Sequence, residues 1–375
     1  MRQSFQRPAA ALASAMLLAA TLAGCASAPK PGSGTPSVDH TSHPGHDGVD
    51  PSKLSKELYV FNWTEYLPES VLKEFEQQYG VKVKYDTYSS NEEMHAKLKA
   101  GGGGYDLVFP SDWMAGLLNR DGLAEKIDFA NVPNMKNIDA KFKGLPHDPK
   151  NEFSVPYMWG TTGIIINTDK VKPESVTGYK DLWKPEFKGN LVMPDDAREV
   201  IGAALRSLGK TLNEKDPQVL AQAKQKVLDL KPNIKVYNSD SPKDLLLGGE
   251  VVAGVVWSGE AAQVLRQSKN FKYILPEEGV TIWVDHMVIP KGAAHKYTAE
   301  VFMNFLLDPQ ISKQLSEAFP YGNPNQEARK LLPEEFHTNP AIEPPAEGLK
   351  KAQYVEDLGD TVNQVYDQMW TEIKG

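Results

Sequence analysis

Aromatic and acidic side chains recur where predicted β-strands end, and together these residue types can bind an organic cation. Ligands of open α/β sheets lie beyond the carboxyl ends of strands, so residues that follow different strands can share one cleft. Aromatic faces attract ammonium groups, and carboxylates neutralise ammonium groups that would otherwise be buried unpaired. The candidate binding residues at or after strand ends are Trp63, Thr64, Tyr66, Ser111, Trp113, Asp196, Glu199 and Trp257. Trp283 and Asp285, near the start of a later predicted strand, and Tyr321, in a Pro-Tyr-Gly turn, are further candidates.

The two acids after a central strand also have an ordinary structural explanation. Asp196 is followed three residues later by Glu199, which is a common capping arrangement at the start of a helix. The helix dipole there favours anions over a cation. Two carboxylates can nevertheless outweigh a partial positive charge, so an amine-binding role stays open beside a capping role.

The aromatic candidates could instead be packing residues. Trp63 and Tyr66 could cover the end of the sheet, and Trp257 could belong to the core because it ends a continuous apolar strand. Trp283 could also be a core residue. Its period-two spacing from Asp285 places both on one strand face, where one side chain can stack while the other pairs with an amine.

The elements that must position these residues alternate between strand and helix, which predicts an α/β fold. Residues 58–61, 81–85 and 105–109 are predicted strands. Gly80 is expected to end the helix between the first two strands, and Ser90 to cap the next helix. This order predicts a βαβαβ unit on a largely parallel sheet.

A second set of elements follows, and residues 57–375 exceed what one hydrophobic core usually holds. We therefore expect two lobes, each a mixed, mostly parallel sheet flanked by helices, with the ligand cleft between them. Lobe 1 is predicted to comprise residues 57–161 and 284–330, and lobe 2 residues 162–283 and 331–375.

The N-terminal residues predict export and lipid attachment. Residues 1–24 contain two arginines and an apolar Ala/Leu/Met stretch, which is typical of a signal peptide. Cys25 follows Leu-Ala-Gly, as in the lipidation motif of bacterial lipoproteins, and it is the only cysteine. Residues 25–56 are rich in Ser, Pro, Gly, His and Asp, which predicts a flexible tether. We assign no metal to its histidines His40, His43 and His46, because nothing fixes their geometry.

Composition excludes several other classes of protein. The formal net charge of −8 does not suit nucleic acid, but it can steer cations toward a cleft. The glycines at 101–104 lack the Lys-Ser/Thr of a phosphate-binding loop, and we predict no cofactor. No stretch after the signal is long and apolar enough for a membrane helix.

Six short motifs, in this order, resemble the periplasmic spermidine/putrescine-binding proteins of ABC importers, a family with a type II-like periplasmic-binding-protein fold. The resemblance covers nearly all of residues 57–375. The motifs are FNWTEY at 61–66, YDLVFPS at 105–111, VPYMWG at 155–160, DLWKP at 181–185, DDAREV at 195–200 and NSD at 238–240.

The resemblance implies that Trp63, Tyr66, Trp257 and Trp283 form the walls of a polyamine site. It further implies that Asp196, Glu199 and Asp285 take the amines, with Thr64, Ser111, Ser239 and Tyr321 in support. Trp113 stands where spermidine-preferring members have a tyrosine. A glutamine near the family's C-terminus has no clear counterpart here, since Thr371 aligns there and Gln368 lies nearby.

The resemblance implies a monomeric, non-catalytic protein in the periplasm whose lobes close on spermidine or putrescine and deliver it to a membrane permease. A polyamine sensor that presents norspermidine or spermidine to a membrane receptor would have the same site. A hydrolase using Asp196, Glu199 and Asp285 as acid and base is a third possibility. No nucleophile elbow, metal-ligand helix or nucleotide loop supports that reading.

Overall fold

The computed structural model describes residues 48–101 and 104–375. The predicted signal peptide, Cys25 and the three tether histidines lie outside the described residues. The last residues of the predicted tether contact the fold, because the Asp50 amide donates to Tyr297 Oη at 2.7 Å and the Ser55 amide to Thr298 Oγ1 at 2.8 Å. Within the described ranges, no helix has the length and apolar character needed to cross a membrane.

Ten strands in the described part of the chain form one mixed sheet, with the path β2-β1-β3-β9-β4-β7-β5-β6 and with β8 and β10 paired to β4 and β9. The strands are β1 (Glu57–Trp63), β2 (Lys82–Tyr88), β3 (Leu107–Val108), β4 (Ser154–Asn167), β5 (Leu191–Met193), β6 (Ile234–Tyr237), β7 (Ala253–Trp257), β8 (Phe271–Ile274), β9 (Thr281–Val288) and β10 (Gln353–Tyr354).

Helices flank this sheet and connect most of its strands. They are α1 (Glu69–Tyr79), α2 (Asn91–Lys99), α3 (Asp112–Arg120), α4 (Ala197–Ser207), α5 (Pro217–Leu230), α6 (Pro242–Leu247), α7 (Ser258–Gln267), α8 (Lys296–Leu306), α9 (Pro309–Ala318), α10 (Gln326–Arg329), α11 (Glu334–Thr338) and α12 (Asp360–Lys374).

The predicted βαβαβ unit is confirmed. Strand β1 pairs in parallel with both β2 and β3. Gly80 ends α1 in the left-handed conformation with φ of 69°, which a residue without Cβ adopts at no steric cost. Ser90 Oγ accepts the amide of Glu93 at 3.2 Å and so caps α2. Local sequence signals therefore determine this part of the sheet.

The sheet is mixed, as predicted, and its centre is antiparallel. Strand β4 pairs antiparallel with β7, β8 and β9. The sequence predicts a strand at residues 163–166, whereas β4 extends over 14 residues. All of its residues from Ser154 to Ile166 are buried, so its sequence lacks the alternation that marks a half-exposed strand.

The buried apolar residues form separate cores on the two halves of the sheet. One core takes residues from 58–159 and 283–321. On the other half, alternate residues of β4 face opposite sides, with Ile164 and Ile166 in one core and Ile165 in another. These cores use residues 164–274 and 332–373. The two-lobed fold is thus confirmed, while the boundary residues of each lobe stay a prediction.

Candidate functional site

A cavity lies at the carboxyl ends of β1, β3, β5, β6 and β7, beside β9. The structure brings all twelve predicted binding residues to this cavity, although they come from distant parts of the chain. Six further residues complete the lining, namely Asn91, Arg198, Asp240, Glu260, Thr281 and Val355.

Two tryptophans from different halves of the sheet contact each other in the cavity wall. The Trp63 and Trp257 rings lie 5.6 Å apart between centroids at an interplanar angle of 73°. Trp63 Nε1 donates to the Phe109 carbonyl at 2.8 Å, which fixes the indole against the end of β3. Trp257 is the last residue of β7 and is only half-buried. Both tryptophans thus line the cavity, and neither is only a packing residue of the core.

A second aromatic group lies on and beside β9. Trp283 contacts Tyr321 with centroids 5.5 Å apart, and Tyr321 contacts Tyr66 at 5.2 Å. Two glycines make these positions possible. A Cβ on Gly160 would lie 2.7 Å from the Trp283 ring, and one on Gly259 would lie 2.4 Å from the Tyr321 ring. Any larger residue would displace the aromatic wall.

Asp285 points from the middle of β9 toward two hydroxyl groups. Tyr66 Oη donates to Oδ2 at 2.7 Å and Ser111 Oγ donates to Oδ1 at 2.8 Å. Burial raises the pKa of Asp285 to about 7, against the lowering effect of both hydrogen bonds. No ion pair within 4.0 Å joins Asp285 to a Lys, Arg or His of the described residues. A cationic ligand group would supply that missing charge.

Asp196 and Glu199, called the acidic pair below, lie at the start of α4. Asp196 is the N-cap residue, and its Oδ1 accepts the Glu199 amide at 3.0 Å. The predicted capping arrangement is therefore present, and both side chains also line the cavity. Burial raises the pKa of Asp196. Burial, followed by the charge of Asp196, raises the pKa of Glu199 to about 7.

Two threonines hold the Glu199 carboxylate across the central strands. Thr162 Oγ1 donates to Oε1 at 2.7 Å and Thr281 Oγ1 to Oε2 at 3.0 Å. Thr162 on β4 and Thr281 on β9 are direct partners in the antiparallel register. Thr162 Oγ1 also accepts Trp283 Nε1 at 3.3 Å. The register of two strands thus fixes both an acid and an indole of the cavity.

Arg198 is a buried cation next to the acidic pair. Its guanidinium donates to the Glu356 carbonyl at 3.0 Å and to Asn213 Oδ1 at 2.9 Å. Its Cζ lies 5.7 Å from the centroid of the Trp113 ring, so the guanidinium packs against an aromatic ring of the cavity lining. Burial lowers the pKa of Arg198, and its charge in turn lowers the pKa of Glu199.

The smaller polar residues orient neighbouring groups. Asn91 Nδ2 donates to Ser111 Oγ at 3.2 Å, and the Ser111 amide donates to Asn91 Oδ1 at 3.1 Å. Ser239 Oγ accepts the Asp195 amide at 2.9 Å, next to the acidic pair. The Thr64 amide donates to the Tyr88 carbonyl at 3.4 Å, which ties the end of β1 to that of β2.

The resemblance implies a glutamine contact with the ligand near the C-terminus, and the two candidate residues for this contact lie outside the cavity. Thr371 and Gln368 lie exposed on α12, and neither lines the cavity. Thr371 Oγ1 donates to the Asp367 carbonyl and Gln368 Nε2 to Glu372. Val355 lines the cavity instead. The far-end glutamine of the family therefore has no polar replacement among these residues.

The sequence analysis missed the six further lining residues for different reasons. Arg198 lies within the quoted DDAREV motif and Glu260 three residues after Trp257, so their spacing was a signal that could have been used. Thr281 could be found only from the pairing of β4 with β9, which no local pattern encodes.

Comparisons with known proteins agree with the fold and the cavity. The family model for bacterial extracellular solute-binding proteins matches residues 70–344. The spermidine/putrescine-binding periplasmic protein of Escherichia coli (strain K12) is 41% identical over 318 residues, which cover 84% of this chain and 91% of that protein.

Two solved structures extend this similarity. A spermidine/putrescine ABC transporter protein from Listeria monocytogenes superimposes with a TM-score of 0.83 at 34% identity, covering 85% of this chain and 99% of that chain. The TpPotD lipoprotein of Treponema pallidum superimposes with a TM-score of 0.74, also at 34% identity, covering 84% of this chain and 99% of that chain.

Proposed function

We propose that this chain, which belongs to the family of bacterial extracellular solute-binding proteins, captures spermidine or putrescine in the periplasm and delivers it to the permease of an ABC importer. Proteins of this family bind solutes and are not enzymes. The observation that carries the proposal is Asp285, a carboxylate buried among aromatic rings with two hydroxyl partners and no cationic partner in the described part of the chain.

A polyamine matches the chemistry of this cavity. Its ammonium groups would neutralise Asp285 and the acidic pair, and its methylene groups would contact the indole and phenol faces. Oligosaccharides also stack on aromatic rings, but neutral hydroxyl groups would not compensate several buried carboxylates. The excess of buried acids therefore favours an oligoamine over a neutral ligand.

A ligand screen tests this function. We expect spermidine and putrescine to raise the melting temperature of the purified protein, because a ligand that binds only the folded state stabilises it. Amino acids and oligosaccharides are the comparison ligands. A shift with an oligosaccharide and none with any polyamine would overturn the proposal.

Binding is expected to close the two lobes around the ligand. The supporting observation is that the cores separate on the two halves of the sheet while β4 contributes residues to the cores of both halves. Hinge closure around a ligand is a common transition in two-lobed binding proteins. Small-angle X-ray scattering should show a smaller radius of gyration with spermidine, and an unchanged radius would argue against closure.

We also propose that the protein acts as a monomer attached to the membrane through a lipid on Cys25. The Leu-Ala-Gly-Cys sequence supports the attachment, and a structural relative is described as a lipoprotein. Cys25→Ser should move the protein from the membrane fraction to the soluble fraction. Continued sedimentation of that variant with membranes would contradict the anchor.

A further inference from the structure

A lysine side chain lies between two acids at the edge of the cavity. Lys243, on α6, has a side chain that is only 10% exposed. Its Nζ contacts Glu65 Oε2 and lies 3.4 Å from Glu260 Oε2. Glu65 follows β1, whereas Lys243 and Glu260 belong to α6 and α7 on the other half of the sheet. The lysine therefore joins groups from both sides of the cleft.

Glu260 belongs to the cavity lining and is almost fully buried. Its Oε1 accepts Gln263 Nε2 at 3.1 Å. Burial raises the pKa of Glu260 to about 7, and the charge of Lys243 opposes this increase. Lys243 thus supplies Glu260 with a cation, whereas Asp285 in the same cavity has no ion-pair partner among residues 48–101 and 104–375. A ligand ammonium would have to compete with Lys243 at Glu260.

Glu65 has a backbone conformation that non-glycine residues seldom adopt. Its φ is 52°, in the left-handed region, and among the described residues only Asn151 shares this feature without being glycine. Glu65 lies between Thr64 and Tyr66, which both line the cavity. Such strain persists where the surrounding structure imposes it, often at ligand sites. Lys243 therefore contacts a residue whose backbone conformation is imposed by the structure next to the cavity.

We propose that Lys243 is a built-in cation that occupies the Glu65–Glu260 acids and so disfavours polyamines with additional ammonium groups. This inference rests on the proposed polyamine function. A diamine or triamine can use Asp285 and the acidic pair, which Lys243 does not contact. A tetraamine brings a further ammonium group that would need its own carboxylate, and it would meet the Lys243 charge instead.

Calorimetry with putrescine, spermidine and spermine tests this assignment on Lys243→Met, which removes the charge and keeps most of the stem. We expect the ratio of the spermine to the putrescine association constant to rise about tenfold, since a charged hydrogen bond becomes available. Lys235→Met is the control, because exposed Lys235 pairs with Glu250 outside the cavity. Its ratio should stay that of the parent.

The double variant Lys243→Met with Glu260→Gln separates the specific effect from a change in long-range charge. Without the Glu260 carboxylate, the raised ratio should fall back toward the parent value. Lys243→Gln carries the same test if the methionine variant does not fold, because its amide can still donate to Glu260.

An unchanged ratio in a folded Lys243 variant that binds putrescine would overturn the inference, as would a raised ratio that persists in the double variant. Failure of the parent protein to bind any of the three polyamines would instead overturn the proposed function.

Discussion

Asp285 and the acidic pair offer two different solutions for holding carboxylates in one cavity. Asp285 lies on a central strand and is held by the hydroxyl groups of Tyr66 and Ser111, with no cationic partner among the described residues. Asp196 and Glu199 lie at a helix start, where the charge of Arg198 favours the ionised form of both. Backbone amides also stabilise ionised Asp196, and the hydroxyl groups of two threonines stabilise ionised Glu199. The acidic pair thus has a protein cation nearby, whereas Asp285 would obtain a cation from the ligand.

This difference separates two tasks within one site. An acid without a protein cation gains most when an ammonium group arrives, so it should contribute most to affinity. Acids that already have a protein cation nearby gain less from each ligand charge, so they should contribute more to the choice among ligands. We therefore expect Asp285, on strand β9, to determine mainly affinity, and the acidic pair, at the start of α4, to determine mainly selectivity.

The substitution Asp285→Asn is the most severe test of the expected division between affinity and selectivity. The substitution keeps the shape and removes the charge, so one ligand ammonium would remain buried without a counter-charge. We expect spermidine affinity to fall about 100-fold, within the range for truncating one partner of a buried charge pair. Isothermal titration calorimetry measures the loss.

Asp229→Asn serves as the matched control, because Asp229 is exposed on α5 and does not line the cavity. It should bind like the parent. If Asp285→Asn also binds like the parent, the ligand does not depend on this carboxylate.

Solution pH should affect spermidine affinity through the same carboxylates. Burial raises the pKa values of Asp285 and Glu199 to about 7, so below pH 7 these groups are protonated in the free protein and must lose a proton before pairing with an ammonium group. Affinity should therefore increase from pH 6 to pH 8, by about tenfold through Asp285 and by a smaller factor through Glu199. Calorimetry at the two pH values measures the change, and an affinity that falls with rising pH would contradict it.

Glu199→Gln should have the smallest effect on affinity and a clear effect on selectivity. Asp196 remains, so we expect about a fivefold loss for spermidine, as for one hydrogen bond of about 1 kcal/mol. Because each ligand charge needs its own partner, the ratio of triamine to diamine affinity should change as well. A loss as large as that of Asp285→Asn would remove the distinction between the two regions.

The sequence predicted the members of the cavity well because the positions after strand ends are set by local patterns. Residues such as Trp63 and Asp196 follow recognisable strands, and parallel pairing brings those ends to one edge of the sheet. The family motifs added Ser239, which no pattern of spacing would have selected.

Contacts between distant segments could not be predicted in this way. The two threonines that hold Glu199 meet through the register of β4 and β9, and β4 was only partly recognised because its residues are buried on both faces. Lys243 meets Glu65 across 178 positions of the chain. A lysine in a short helix carries no sequence signal of burial, because most lysines are solvated.

A crystal structure of the protein with spermidine tests the central claim most directly. We expect one ammonium nitrogen about 2.7–2.9 Å from a carboxylate oxygen of Asp285, another beside the acidic pair, and the methylene chain against the cavity's tryptophans. Spermidine bound outside this cavity, or bound inside it with Asp285 contacting only Tyr66 and Ser111, would contradict the account.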